Sequence, residues 1–135
     1  PCLVVHLGAP SIGITDLDGL DVAGKAVLID TGWSELWRTD AYFENHPYLE
    51  QSAAIYLRDH GAALVGIDSL NIDDTSTGLR PVHSTLLAAD IPIVEHLTNL
   101  RSLQETGCRF SAVPVKVKAM GTFPVRAYAR LSNNS

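Results

Sequence analysis

At 135 residues and 14.6 kDa, with 46% hydrophobic and 19% charged residues, the chain has the length of one domain with a real core and too little charge for a disordered polymer. Ten Lys and Arg against fifteen Asp and Glu give a formal charge of -5 with no basic run, which argues against a nucleic acid partner, and the short apolar runs argue against a membrane. A small-molecule substrate is the expected partner, and two cysteines without C-x-x-C or zinc-finger spacing fit a reducing, cytoplasmic setting.

Residues 2–7 read as a buried strand closed by Gly8, Ala9 and Pro10. Thr15 is placed to cap one short turn of helix over residues 16–20. Residues 26–29 form a second strand and deliver Asp30, Thr31, Gly32 and Trp33 at its end. Trp33 and Trp37 share a face if that loop turns helical, so together with Tyr42 they are candidates for lining an aromatic substrate pocket, with core or interface packing as the alternative. His46-Pro47 precedes an amphipathic helix over residues 48–60, carried by Leu49, Ala53, Tyr56 and Leu57 and stopped by Gly61. A third strand over residues 63–67 ends at Asp68, followed by a polar loop to Pro81, which opens a short helix that Asp90 and Pro92 end. Ile93 and Val94 form a short strand leading to Glu95, a helix is expected over residues 97–105, and residues 109–119 and 124–131 alternate as a pair of strands joined near Gly121. Residues 132–135 read as a polar tail. Strands alternating with helices and then a terminal strand pair predict a single α/β domain with a mixed sheet.

Chemistry collects past the third strand. Asp68, Asp73 and Asp74 lie in a loop where a carboxylate binds a metal, orients a ligand or bonds its own turn, and Asp68 is also a substrate-pocket candidate. His83 and Glu95, an imidazole and a carboxylate joined by one helix and one strand, are two potential metal ligands, though their spacing matches no recognised metal motif. His6, His46 and His60 read as structural, and alternation in an extended segment would turn His96 to the face opposite Glu95. Cys108 reads as a buried small side chain or an incidental thiol, and a paper triad of Ser69, His83 and Asp68 lacks the G-x-S-x-G elbow, so no nucleophile is assigned.

Taken together, VLIDTGW from Val27 to Trp33, His46-Pro47, GIDS from Gly66 to Ser69, His83 with Leu86 and Leu87, Ile93-Val94-Glu95 with Leu97, Asn99 and Leu100, and GTFPVRAYA from Gly121 to Ala129 stand in the order found in the metal-dependent cyclase family. That family includes bacterial kynurenine formamidase and isatin hydrolase, and the chain resembles it over residues 26–129. The resemblance implies an α/β fold of the swivelling β/β/α type, with helices packed on a mixed, partly barrel-like sheet. It further implies a zinc or manganese site and hydrolysis of an amide, formamide or lactam. On the matching positions, His83 is similar to a histidine ligand of that metal and Glu95 to its carboxylate ligand.

Family members also carry, upstream of this region, an H-x-G-T-H-x-D-x-P-x-H motif that is not found in these 135 residues, whose first seven resemble the strand that follows it. A catalytic metal takes three protein ligands and keeps an open position, and this chain offers two. The expectation is therefore a cyclase-like domain, residues 1–135, that lacks an N-terminal segment, supplies part of a metal site and is inactive alone; the alternative is a non-catalytic binding or scaffold domain of the same origin, with the metal absent. Uncovered apolar core and an open sheet edge predict a homo-oligomer or association with the missing segment. Two ligands of one tetrahedral ion should lie roughly 3.4 Å apart, facing a cleft near the strand that begins at Pro1, whereas a direct His–Glu hydrogen bond predicts ~2.7 to 3.0 Å.

Overall fold

The computed structural model describes residues 1–132. In chain order the elements are β1 (Cys2–His6), β2 (Ser11–Ile12), α1 (Ile14–Leu17), β3 (Ala26–Asp30), β4 (Tyr48–Leu49), α2 (Gln51–Asp59), β5 (Leu64–Ile67), α3 (Pro81–Leu87), β6 (Ile93–Val94), β7 (Cys108–Pro114) and β8 (Val125–Leu131). Three 3-10 turns, Trp33–Leu36, Asp40–Phe43 and Leu100–Ser102, fill the connections. The architecture is α/β, as the alternation of periodicities predicts.

Four parallel strands in the order β1-β3-β5-β6 make the central sheet. Parallel strands are joined by crossovers that cover the sheet, so both faces are buried and the strands read as nearly continuous apolar runs. Alternate residues then serve two different cores. Leu3, Val27, Ile29, Val65 and Ile67 meet Leu17, Leu57, Val82 and Leu86 from the three helices on one face. Cys2, Val4, Ala26, Leu28 and Val94 point to the other face, where Leu97, Leu100 and Cys108 join them under Phe110, Ala112, Val125 and Ala129 of the hairpin. Burial of each such aliphatic side chain is worth about 1.5–3 kcal/mol. The antiparallel pair β7–β8, in register from Cys108↔Leu131 to Pro114↔Val125, is a sheet of its own laid across this second core.

Gly66 is where the packing is closest. A Cβ there would lie 2.7 Å from Leu97 Cδ1 and 2.9 Å from Leu28 Cδ2, so this strand position admits no side chain without movement.

Several boundaries differ from the sequence reading for local reasons. Helix α1 begins one residue before Thr15, because the Gly13 amide bonds the Asp16 carboxylate at 2.8 Å and sets the start. Residues 48 and 49 are not helical: they pair with β2 as Ser11↔Tyr48 and Ile12↔Leu49, which delays α2 to Gln51. The helix expected over residues 97–105 is a single 3-10 turn, since His96 and Asn99 adopt left-handed φ of 59° and 62° and break any run. Its apolar spacing is real, but Leu97 and Leu100 enter the second core from irregular backbone. Of the expected polar tail, residues 133–135 lie outside the described residues.

The cysteines are also not isolated. Cys2 opens β1 and Cys108 opens β7, and the two face each other with Cα atoms 5.5 Å apart, a spacing that a disulfide can bridge. A separation of 106 residues hides that pairing from any reading of spacing.

Candidate metal centre

The C-terminal ends of parallel strands gather polar groups: His6 and Asp30 close β1 and β3, Asp68 follows β5, and Glu95 follows β6. Ligands of open α/β sheets bind outside these strand ends. His83 comes to the same region from α3, the crossover between β5 and β6.

Asp73 places His83. Proline at the first position of α3 has no N–H, and Ser84 N–H bonds Arg80 carbonyl at 3.0 Å, so the first turn leaves two unsatisfied donors, Val82 and His83. Asp73 takes both, Val82 N–H on Oδ1 at 2.8 Å and His83 N–H on Oδ2 at 3.0 Å. The same Oδ2 accepts from His83 Nδ1 at 2.7 Å. A carboxylate is acceptor-only, so the proton of this bond sits on Nδ1, and the lone pair of a neutral imidazole is on Nε2.

That lone pair faces another acceptor. His83 Nε2 is 3.4 Å from Glu95 Oε1, which is itself held by Ile72 N–H at 2.8 Å. The separation is longer than a charge-assisted hydrogen bond and subtends roughly 108° at an ion ~2.1 Å from each atom, the tetrahedral angle. Two converging lone pairs at this distance suit a cation between them, and the carboxylate–histidine arrangement behind Nε2 is the one that orients metal-bound imidazoles. Both side chains are largely buried, His83 11% and Glu95 23% exposed. Among the described residues no group of three His, Cys, Asp or Glu side chains converges on a metal position. The expected placement near β1 does not hold, because β1 and β6 are opposite edges of the sheet.

Around Tyr42 the aromatic residues come together. Trp33 Nε1 donates to the Tyr42 carbonyl at 2.9 Å, Trp37 meets the Tyr42 ring edge-on at 5.1 Å, and the Tyr42 hydroxyl lies 2.9 Å from His96 Nδ1. Tyr42 is 1% exposed, and burial, helped by the charges of Asp68 and Glu95, pushes its phenol up to about 12. His96 reaches this group because β6 ends at Val94 and the backbone turns left-handed, so strand alternation does not apply to it. It lines, with Glu95, Phe123, Val125 and Ala127, a cleft of about 540 Å3 between the end of β6 and the hairpin.

Asp68 faces inward. Its carboxylate accepts from Thr31 N–H at 2.9 Å, Thr31 Oγ1 at 2.6 Å and Ser34 N–H at 3.4 Å, tying the loop after β3, and burial holds its pKa above the usual carboxylate range. His6 Nδ1 bonds the buried Asp30 at 2.7 Å, His46 bonds Pro47 carbonyl and Thr75, and His60 Nδ1 donates to Tyr56 carbonyl. Sequence reasoning placed Asp73 with its loop neighbours and did not connect it to His83; the one available signal is a helix opened by Pro81 without a capping side chain of its own.

The Cyclase family model matches residues 15–74. Kynurenine formamidase of Geobacillus thermodenitrificans (strain NG80-2) is 33% identical over 133 residues, covering 96% of this chain and 62% of the relative. Among solved structures, a potential metal-dependent hydrolase with cyclase activity superposes with a TM-score of 0.80 at 31% identity, over 93% of this chain and 62% of that one. Isatin hydrolase A from Ralstonia solanacearum has a TM-score of 0.82 at 23% identity, over 96% and 59%, and shares the fold. The chain thus spans about three fifths of the length of these relatives. The fold, the ordered motifs and these likenesses agree: the chain is similar to members of the metal-dependent cyclase family.

Proposed function

We propose that this chain contributes His83 and Glu95 to a divalent metal site, zinc or manganese, which residues beyond these 135 complete, and that the whole protein hydrolyses an amide, formamide or lactam. The observation that carries the reading is the 3.4 Å approach of His83 Nε2 to Glu95 Oε1 with Asp73 fixing the imidazole from behind. Imidazole with carboxylate suits either metal. Such an ion, when bound, polarises a carbonyl and activates water at neutral pH. The protein residues do the rest. Asp73 holds the His83 ring in one tautomer, Ile72 N–H holds Glu95, and buried Tyr42 backs Trp33 and the exposed Trp37, whose indole is the aromatic surface offered to a flat group.

A non-catalytic binding or scaffold domain is the second reading, favoured by the absence of a third converging ligand among the described residues. The two separate in a protein that carries this sequence with its remaining ligands. There His83→Ala and Glu95→Ala lower bound metal and amide hydrolysis together while the protein stays folded, with Glu95→Ala melting ~4 to 11 °C lower because Ile72 N–H loses its acceptor. Full metal content and activity in either variant would remove that residue from the site. The same reading includes self-association or cover by a further segment, supported by the apolar side chains Val113, Val115, Val117 and Met120 exposed on and beyond β7.

A further inference from the structure

We infer that Cys2 and Cys108 form a disulfide that acts as a redox-conditional clasp, fastening the β7–β8 hairpin onto the sheet face beside Glu95. The hairpin exchanges its ladder bonds within itself and forms a separate two-stranded sheet, so among the described residues no ladder joins it to the central strands. A two-stranded ribbon is marginal by itself in water. Among the described residues it is held by the second core, to which Phe110, Ala112, Val125 and Ala129 contribute as partly buried side chains, and by one backbone bond just before it, Val4 N–H to Glu105 carbonyl at 2.8 Å. The cysteines sit at the base of that contact, 2% and 4% exposed, with Cα atoms 5.5 Å apart, a spacing a disulfide adopts. They close a loop that contains the entire central sheet, His83 and Glu95, and cross-links across long loops constrain the unfolded chain most.

The clasp forms by thiol–disulfide exchange with a small-molecule or protein disulfide. One cysteine thiolate attacks the oxidant's sulfur to give a mixed disulfide, the second displaces it, and the oxidant leaves as two thiols, having taken two electrons and two protons. A dithiol reverses the sequence. Because both sulfurs are buried, reduction passes through an opened hairpin, and the closed form belongs to an oxidising compartment. The consequence reaches the site: Val125, Ala127 and Phe123 wall the cleft into which Glu95 opens, and that wall loosens when the clasp is reduced.

The test uses the protein purified without reductant, then denatured and treated with an alkylating agent. The clasp predicts an unalkylated chain with a mass about 2 Da below the dithiol form. Reduction should lower the melting temperature by ~7 to 14 °C and raise amide exchange in β8 at least ~10-fold more than in β3. Cys108→Ser, and Cys108→Ala where the serine variant is too unstable to purify, should match the reduced protein and ignore reductant. Alkylation of both cysteines without reductant, or equal hairpin protection in the two states, overturns the inference.

Discussion

Replacing Asp73 separates the two jobs its carboxylate does. In Asp73→Ala, Val82 and His83 lose the acceptor of their buried N–H groups and the imidazole loses its orienting partner, three bonds of 2.8, 3.0 and 2.7 Å. An unsatisfied buried donor costs about 1–3 kcal/mol, and an absent helix cap about 1 kcal/mol. Bonds on one carboxylate do not add fully, so the loss should be ~3–5 kcal/mol, a large part of the ~5–15 kcal/mol by which a domain is stable. At ~2.1 cal/mol/K of unfolding entropy per residue, that is a fall of ~10 to 18 °C in melting temperature for this chain. Asp73→Asn keeps one acceptor oxygen and turns the other into an NH2, so in either orientation of the amide a donor of α3 faces a donor. Stability should fall less, by ~1–2 kcal/mol, while metal affinity in a protein with the full ligand set falls ~10- to 100-fold. Thermal melts of the metal-free protein and competition with a chromophoric chelator read the two effects. An Asn variant with native metal affinity, or an Ala variant that melts where the wild type does, would refute the reasoning.

Gly66→Ala forces a methyl group against Leu97 and Leu28, so urea unfolding should show a loss of ~1–3 kcal/mol; an unchanged midpoint would mean that both leucines move freely. The Tyr42 phenol is favoured neutral by the fold, with its pKa raised from 10.0 to about 12, so the stability it contributes is complete below pH 10 and is lost as pH climbs through 12. A phenolate absorbance titration of Tyr42→Phe should lack the latest step, and the variant should lose stability less steeply over that interval. From the ligand count, the 135-residue chain supplied with zinc or manganese should hydrolyse N-formylkynurenine or isatin no faster than buffer; metal-dependent turnover by it would show that other side chains stand in as ligands.

How much of this was legible in the sequence depended on whether a feature is local. The apolar runs at β1, β3 and β5 are buried on both faces and bounded by Gly, Pro or Asp, so their periodicity and punctuation suffice. Helix α3 announces itself by Pro81. The stretch after Glu95 misleads because Leu97 and Leu100 stand at helical spacing on backbone that turns left-handed at His96 and Asn99. Tertiary pairings leave no local mark. Nothing ten residues upstream of His83 distinguishes Asp73 from Asp74, whose Oδ1 caps Ser76 N–H in its own turn, and nothing ties Cys2 to Cys108 until the hairpin is laid on the sheet. His83 and Glu95 emerged from the ordered motifs around them, since their interval alone has no metal meaning.

The central claim is that His83 and Glu95 share one ion. Crystals of the protein that carries this sequence with its complete ligand set, grown with zinc or manganese and measured at the metal absorption edge, test it directly. One anomalous peak should lie ~2.0 to 2.2 Å from both His83 Nε2 and a Glu95 carboxylate oxygen, with Asp73 still bonded to Nδ1. A peak that touches neither residue, or no peak with the two side chains drawn into a direct hydrogen bond of ~2.8 Å, would contradict it.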